Sequence, residues 1–276
     1  MNAFAEKCIK LRRQDHTLDE IARVTGRPRS SVFGYIWNLP LSLKKRQNIR
    51  DKHTATILKF IEKRRARSAK AFRRFRLWDK KTVFLVSHFI FDGEIRHGGC
   101  IYSNRSTALI NRVKQGMKVI CRFNPKSYKN EVTGVLKIAY FNVVLGAYIK
   151  KKATQLLEEI LTLPIDLRRE FTMSFFDDEG CMDFNSLTHT RRIRGYQKNT
   201  DILFLIQKLL SNFGITSKIV HPNEVVITGK ENLIKFQREI NFSYGVRING
   251  NRPNSIWKKH LEKREILQRA IESYKI

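Results

Sequence analysis

Two short segments, 87 residues apart, carry the residues best suited to chemistry. The first reads Leu85-Val-Ser-His-Phe-Ile-Phe-Asp-Gly93 and the second Thr172-Met-Ser-Phe-Phe-Asp-Asp-Glu-Gly180. Each has the pattern of an apolar helix that ends in an acid followed by glycine. Ser87 and Ser174 stand five positions before Asp92 and Glu179, and a small residue there lets two helix backbones approach closely. The glycine after each acid is expected to take the left-handed C-cap. Two such helices packed side by side bring Asp92 and Glu179 together. Carboxylates at close range repel one another unless a cation lies between them. Mg²⁺ (or Mn²⁺) takes oxygen ligands and uses few protein carboxylates when phosphate supplies the rest. The chemistry that follows is metal-assisted, in-line hydrolysis of a phosphodiester. One segment alone reads as an ordinary helix end with an exposed acid. Its recurrence at the head of matching elements gives the pair its weight.

The elements that must position these acids also recur. Strand-like segments follow at 94–103 and 181–197. Amphipathic helices come next, marked by Leu109, Ile110, Val113 and Met117 in one copy and by Ile202, Leu205, Ile206, Leu209 and Leu210 in the other. Two more strands are expected at 118–123 and 135–141, matched by 217–220 and 224–228. A helix closes each copy, at 143–152 and 231–240. The fold class is therefore α+β: two pseudo-symmetric αββαββα repeats, 82–165 and 166–250, packed through their acid-bearing helices. A charged helix is expected over 251–276. Along the second copy, Met182 and Phe184 alternate with Asp183 and Asn185, and Ile193 with Arg192 and Arg194. Period two sends one set to the core and the other to the opposite face. Arginine pairs with guanine and asparagine with adenine in the major groove. The candidate base-reading residues are thus Asp183, Asn185, Arg192, Arg194 and Lys198, with Arg96 and its neighbour Glu94 in the first copy. A solvated sheet face is the plain alternative.

Residues 1–43 have the pattern of a helix-turn-helix. Thr17 and Glu20 form a capping box, Leu18, Ile21 and Ala22 give an apolar face, and Gly26-Arg27-Pro28 breaks the helix. A second helix opens near Arg29 and carries Val32, Ile36 and Trp37. Read as a recognition helix, it offers Arg27, Arg29, Ser30 and Ser31 to DNA; the alternative is a three-helix packing module. Residues 44–81 hold 16 Lys/Arg against three acids and no Gly or Pro. They read as a basic helical connector, helical over 54–75, able to touch phosphates without sequence preference.

The whole chain of 276 residues carries 54 Lys/Arg against 25 Asp/Glu, a formal charge of +29. So basic a chain is suited to a polyanion. Nucleic acid leads, because Lys and Arg release counterions from phosphate backbones; an anionic membrane surface and an RNA-packaging role are the rivals. Hydrophobic residues make up 42%, enough for a true core and too many for wholesale disorder. No run approaches the ~18 apolar residues of a membrane span. The first residues lack a signal-peptide layout. Cys8, Cys100, Cys121 and Cys181 form no C-x-x-C pair, which argues against a zinc finger or a disulfide scaffold. The seven histidines show no metal-ligand spacing.

At these motifs the chain resembles the LAGLIDADG homing endonucleases in their single-chain, two-copy form. The second copy carries the resemblance best, through Phe171–Gly180, Arg191-Arg-Ile-Arg-Gly-Tyr-Gln-Lys-Asn199 and Ile227-Thr-Gly-Lys-Glu-Asn-Leu233. The first contributes Phe89-Ile-Phe-Asp-Gly93 and Ile101-Tyr-Ser-Asn-Arg-Ser106. Serine replaces the usual glycine at the helix contact, and His88 and Phe91 are unusual in such a motif. The resemblance implies motif helices at a central interface, two sheets on DNA, and Mg²⁺-dependent double-strand cleavage at a long site. Carried over residue by residue, it makes Asp92 and Glu179 the metal-binding acids. It makes Gln197 a water-ordering polar residue with Ser103 as its first-copy counterpart, and Arg247 an assisting cation with Lys151 or Lys152 opposite. The expected function is a site-specific, homing-type DNA endonuclease of an intron or mobile element. It is expected as a monomer on double-stranded DNA, away from membranes, in the nucleoid-bearing cytoplasm of a prokaryote or virus or in an organelle. Two rivals stand beside it: a non-cleaving transcription regulator, and a maturase acting on intron RNA.

Overall fold

A computed structural model describes residues 2–250 and 257–275, and the chain divides into two compact units, Met1–Ala66 and Arg67–Ile276. In the first unit, α1 (Ala3–Arg13), α2 (Leu18–Thr25) and α3 (Arg29–Ile36) close on a small core of Cys8, Ile21, Val32 and Ile36. Thr17 and Glu20 form the expected reciprocal capping box, and Gly26 ends α2 at φ 67°, where a side chain would be strained. α4 (Leu43–Lys70) follows, 28 residues long with none buried.

The second unit holds both repeats. The first is α5 (Lys80–Phe91), β1 (Gly93–Arg96), β2 (Gly99–Asn104), α6 (Thr107–Ile120), β3 (Lys126–Lys129), β4 (Leu136–Tyr140) and α7 (Val143–Glu159). The second is α8 (Ile165–Glu179), β5 (Gly180–Asn185), β6 (Thr190–Tyr196), α9 (Thr200–Asn212), β7 (Lys218–Val220), β8 (Glu224–Thr228) and α10 (Lys230–Glu239). Two antiparallel sheets result, ordered β1-β2-β4-β3 and β5-β6-β8-β7. This is the α+β, twice-repeated αββαββα order expected from the sequence.

Several boundaries differ from expectation, among them α7, which runs on to Glu159 rather than ending at 152, and α4, which starts at Leu43 rather than at 54. The strand expected at 118–123 is the end of α6 and its exit, because Met117 and Ile120 continue the helix's buried face; the strand lies later, at β3. The connector helix stops at Lys70 rather than near residue 75. Beyond it Phe72 is buried and bridges Cys121, and Phe75 and Trp78 pack on Tyr148 and Glu159 of the first repeat. The C-terminal segment forms α11 (Lys263–Glu272) and a short 3-10 turn at Ser273–Lys275. Residues 251–256 and 276 of the helix expected there lie outside the described residues.

The main core runs through the α5/α8 contact. Val83, Val86 and Phe91 of the first repeat join Phe171, Phe175, Phe176, Met182 and Ile193 of the second. Burying a side chain such as Phe175 stabilises by about 1.5–3 kcal/mol, so the helix pair is held by its flanks while its tips carry polar groups.

Candidate active site

The two acids emerge from the tips of this helix pair. Asp92 is the C-cap residue of α5, its N–H bonded to the His88 carbonyl, and Glu179 is the last residue of α8. Ser87 and Ser174 are buried between the helices, as small residues at a close contact should be. The glycines behave differently from expectation. Gly180 is extended (φ −91°, ψ 154°), and Gly93 has no positive φ. They are needed for space instead: a Cβ would lie 2.4 Å from the Phe89 backbone at Gly93 and 2.4 Å from the Phe176 carbonyl at Gly180. Each chain turns straight from helix into strand, and no side chain fits in the turn.

Burial, then the charge of Asp178, then that of Glu179 push Asp92 up to about 8. Burial and Asp178 push Glu179 up to about 7. The site is thus short of positive charge. Its exposed donors are carboxylate oxygens, the ligand type that hard divalent cations prefer. Among the described residues no three His, Cys, Asp or Glu side chains are grouped to hold a metal unaided. Asp92 and Glu179 offer carboxylate oxygens of the kind a divalent cation takes, and phosphate and water would have to complete its shell.

Asn104 was not singled out in the sequence, yet it is the polar residue nearest Asp92: its Nδ2 donates to Asp92 Oδ2 at 2.6 Å. Strand register explains why it, rather than Ser103, corresponds to Gln197. Gly93 pairs with Tyr102 and Gly180 with Gly195, so the residues two beyond are Asn104 and Gln197. Both use the side-chain carbonyl in the same way, Asn104 accepting from the N–H of Ser106 (2.8 Å) and Gln197 from that of Asn199 (3.2 Å). Those two residues cap α6 and α9. Ser103 lies on the opposite face of β2. Two equivalent capping turns, visible as Asn-x-Ser and Gln-x-Asn, are the signal that aligns the copies.

The cations also differ from expectation. Arg247 is exposed and faces Glu262 at 4.0 Å. Lys152 is buried away from the acids, with Nζ 5.0 Å from the Phe75 and Trp78 rings and bonded to Gln155, while Lys151 is exposed. The buried cation at the motif helices is Lys263. Its Nζ donates to the carbonyls of Phe176 (3.1 Å) and Asp177 (2.7 Å), closing the C-terminal end of α8. Burial lowers its pKa against the pull of Asp177. Its place was legible, since Lys263 shares the helical face of Ile266, Leu267, Ala270 and Ile271.

The sheet candidates fall on one face, as period two requires. Asp183 opposes Arg192, and Cys181 opposes Arg194, while Met182 and Ile193 point to the core. Asp183 binds both arginines, Arg192 at 3.1 Å and Arg194 at 2.6 Å, and Arg194 also reaches Glu224 at 2.7 Å. Asn185 turns its carbonyl to the N–H of Leu187, and Lys198 is exposed just past β6. In the first repeat Arg96 pairs with Glu94 at 2.5 Å. In the N-terminal unit, Ser30 and Ser31 are exposed on the first turn of α3, Arg29 pairs with Asp19 (3.0 Å), and Arg27 lies over the Phe4 ring.

Residues 166–241 match the family described as LAGLIDADG-like domain. The homing endonuclease I-DmoI in complex with DNA and Ca is similar in structure at 18% identity, over 60% of this chain and 91% of that one, with a TM-score of 0.43. I-DmoI in complex with DNA and Mn is similar at 18% identity over 58% and 96%, with a TM-score of 0.43. The N-terminal LAGLIDADG domain of DUF199/WhiA is similar at 15% identity over 62% and 88%, with a TM-score of 0.46. No curated protein sequence matches the chain. The family match thus falls on the second repeat, where residues 166–241 are similar to a LAGLIDADG-like domain.

Proposed function

We propose that this protein is a site-specific DNA endonuclease that makes Mg²⁺-dependent double-strand breaks. One observation carries the reading: two half-buried carboxylates, Asp92 and Glu179, stand at the ends of paired helices, each raised in pKa and, among the described residues, with no side-chain cation bonded to it. A divalent cation bound there would acidify a water and stabilise the leaving oxygen. Asp92 and Glu179 would hold it, each serving one strand, and Asn104 and Gln197 would order the polar groups beside them. The sheet faces bearing Arg96, Asp183, Asn185, Arg192, Arg194 and Lys198 take the duplex. There the internal ion pairs would exchange for base and phosphate contacts. The N-terminal helices add contacts through Arg27, Arg29, Ser30 and Ser31 at the start of α3, and Phe33, exposed one turn further along the same helix, suits a thymine methyl. Both acids come from one chain, so a monomer suffices.

A second reading, a DNA-binding protein that does not cut, draws on the partners of the two expected cations: Arg247 faces Glu262, and Lys152 is buried against Phe75 and Trp78 and bonded to Gln155. A randomised plasmid library incubated with the full chain and Mg²⁺ separates the two. Linear products with a shared sequence at the break are expected. A protected sequence without breaks overturns the nuclease reading and supports the second. Protection of host intron RNA in preference to DNA would support a maturase.

A further inference from the structure

The two motif helices differ in one respect that neither repeat shows alone. Asp178, from the second repeat, reaches across to the first. Its Oδ2 accepts from His88 Nδ1 at 2.6 Å, and its Oδ1 accepts from the Tyr102 hydroxyl at 2.7 Å and from Asn104 Nδ2 at 3.1 Å. The Asp178 side chain has no solvent exposure. The same Asn104 nitrogen holds Asp92. A chain of hydrogen bonds thus runs from one repeat into the acid of the other.

Around Glu179 the equivalent positions are apolar. Motif position by motif position, His88 corresponds to Phe175 and Asp178 to Phe91; strand register matches Tyr102 with Gly195. Phe91 and Phe175 meet edge to face at 5.2 Å. Gly195 leaves room for the Phe175 ring, which a Cβ there would approach to 2.4 Å. A polar triad on one side of the pseudo-dyad is therefore replaced by two rings and a glycine on the other. Among the described residues no side chain hydrogen-bonds the Glu179 carboxylate. An acid held by a locked donor is kept near one geometry, whereas an unheld one samples several, and misplacement by about 1 Å costs on the order of 100-fold in rate.

We infer that Asp178 is a positioning residue that fixes Asp92 through Asn104, so that the two strands are cut at unequal rates, the strand served by Asp92 first. This rests on the endonuclease reading, and its test is built to fail separately from that reading. On a supercoiled plasmid carrying a selected site, the full-length protein should accumulate nicked circles, always in the same strand. The triple variant His88→Phe/Tyr102→Gly/Asp178→Phe copies the packing of the other side. It should slow the faster strand by about ten-fold or more and leave the slower one within about two-fold. Asp178→Asn, which keeps an acceptor for Tyr102 and Asn104, should retain the strand bias, while Asp178→Leu should lose it. Equal strand rates in the parent protein, or an equal fall on both strands in the triple variant, overturns the inference. If the parent protein cuts nothing, the endonuclease reading and the strand bias fall together. The positioning itself is then decided by the Asn104 side-chain amide signal in ¹⁵N-asparagine protein. Asp92→Asn and Asp178→Leu should each move it, and an unmoved signal refutes the link.

Discussion

At the scale of single residues, the acids of the site are defined by what surrounds them. The folded pKa of Asp92, about 8, and that of Glu179, about 7, lie above the ordinary carboxylate range. Between about pH 4 and those values the folded protein therefore holds protons that the unfolded chain has lost. Stability from this source is present at the acid end of that window and falls as pH rises through it. Compared with Asp92→Asn/Glu179→Gln, the parent protein should melt progressively lower as pH goes from 5 to 8 in metal-free buffer, and added Mg²⁺ should recover the loss at pH 8. A parallel pH profile for the two proteins would contradict it. Because cation binding expels those protons, calorimetry in buffers of different ionisation enthalpy should report proton release near pH 7. Lys263 offers a second residue-scale prediction. Replacing it with Met removes two charge-assisted bonds to the carbonyls of α8, at about 1.5–3 kcal/mol each. Denaturant unfolding should show a lower midpoint with an unchanged slope.

At the scale of elements, the helices and strands that matter most were readable because their pattern is local. The capping box of Thr17 and Glu20, the heptad-like spacing in α9 and the period-two alternation in β5 and β6 each involve residues close in sequence. The placement of the candidate site's residues was half readable. Asp92 and Glu179 follow from the repeated acid-glycine ends. The partners of those acids do not, because they meet only after two repeats pack: Asp178 lies beside His88 across 90 residues, and Asn104 is set by strand register rather than spacing. The mistaken strand at 118–123 has a related cause. A short apolar run cannot announce whether it extends a helix or starts a strand, and packing of Ile120 against the first-repeat core decides for the helix. Tight packing gives an element-scale prediction. Gly195→Ala places a Cβ against the Phe175 ring, and overpacking of this kind costs about 1–3 kcal/mol. A fall in denaturation midpoint, largest in the second repeat by hydrogen exchange, is the expected result; unchanged stability would show that the ring moves freely.

At the scale of the whole molecule, the charge of +29 is unevenly used. The sheet face spends several arginines on Asp183, Glu224 and Glu94. The long α4 helix leaves its cations in solvent. Lys52, Lys59 and Lys63 are exposed there, and replacing all three with Gln should weaken DNA binding alike for every sequence. It should reduce the slope of log affinity against log salt by about three. A loss confined to one sequence would show base reading instead. No helix among the described residues is long and apolar enough to cross a membrane. The most direct test of the central claim is the rate of Mg²⁺-dependent double-strand cleavage by Asp92→Asn and by Glu179→Gln, measured beside their affinity for the same selected site. Each variant should lose about 100-fold or more in rate while holding affinity within about three-fold. Cleavage by either variant at the parent rate would contradict the assignment of these two acids to the reaction.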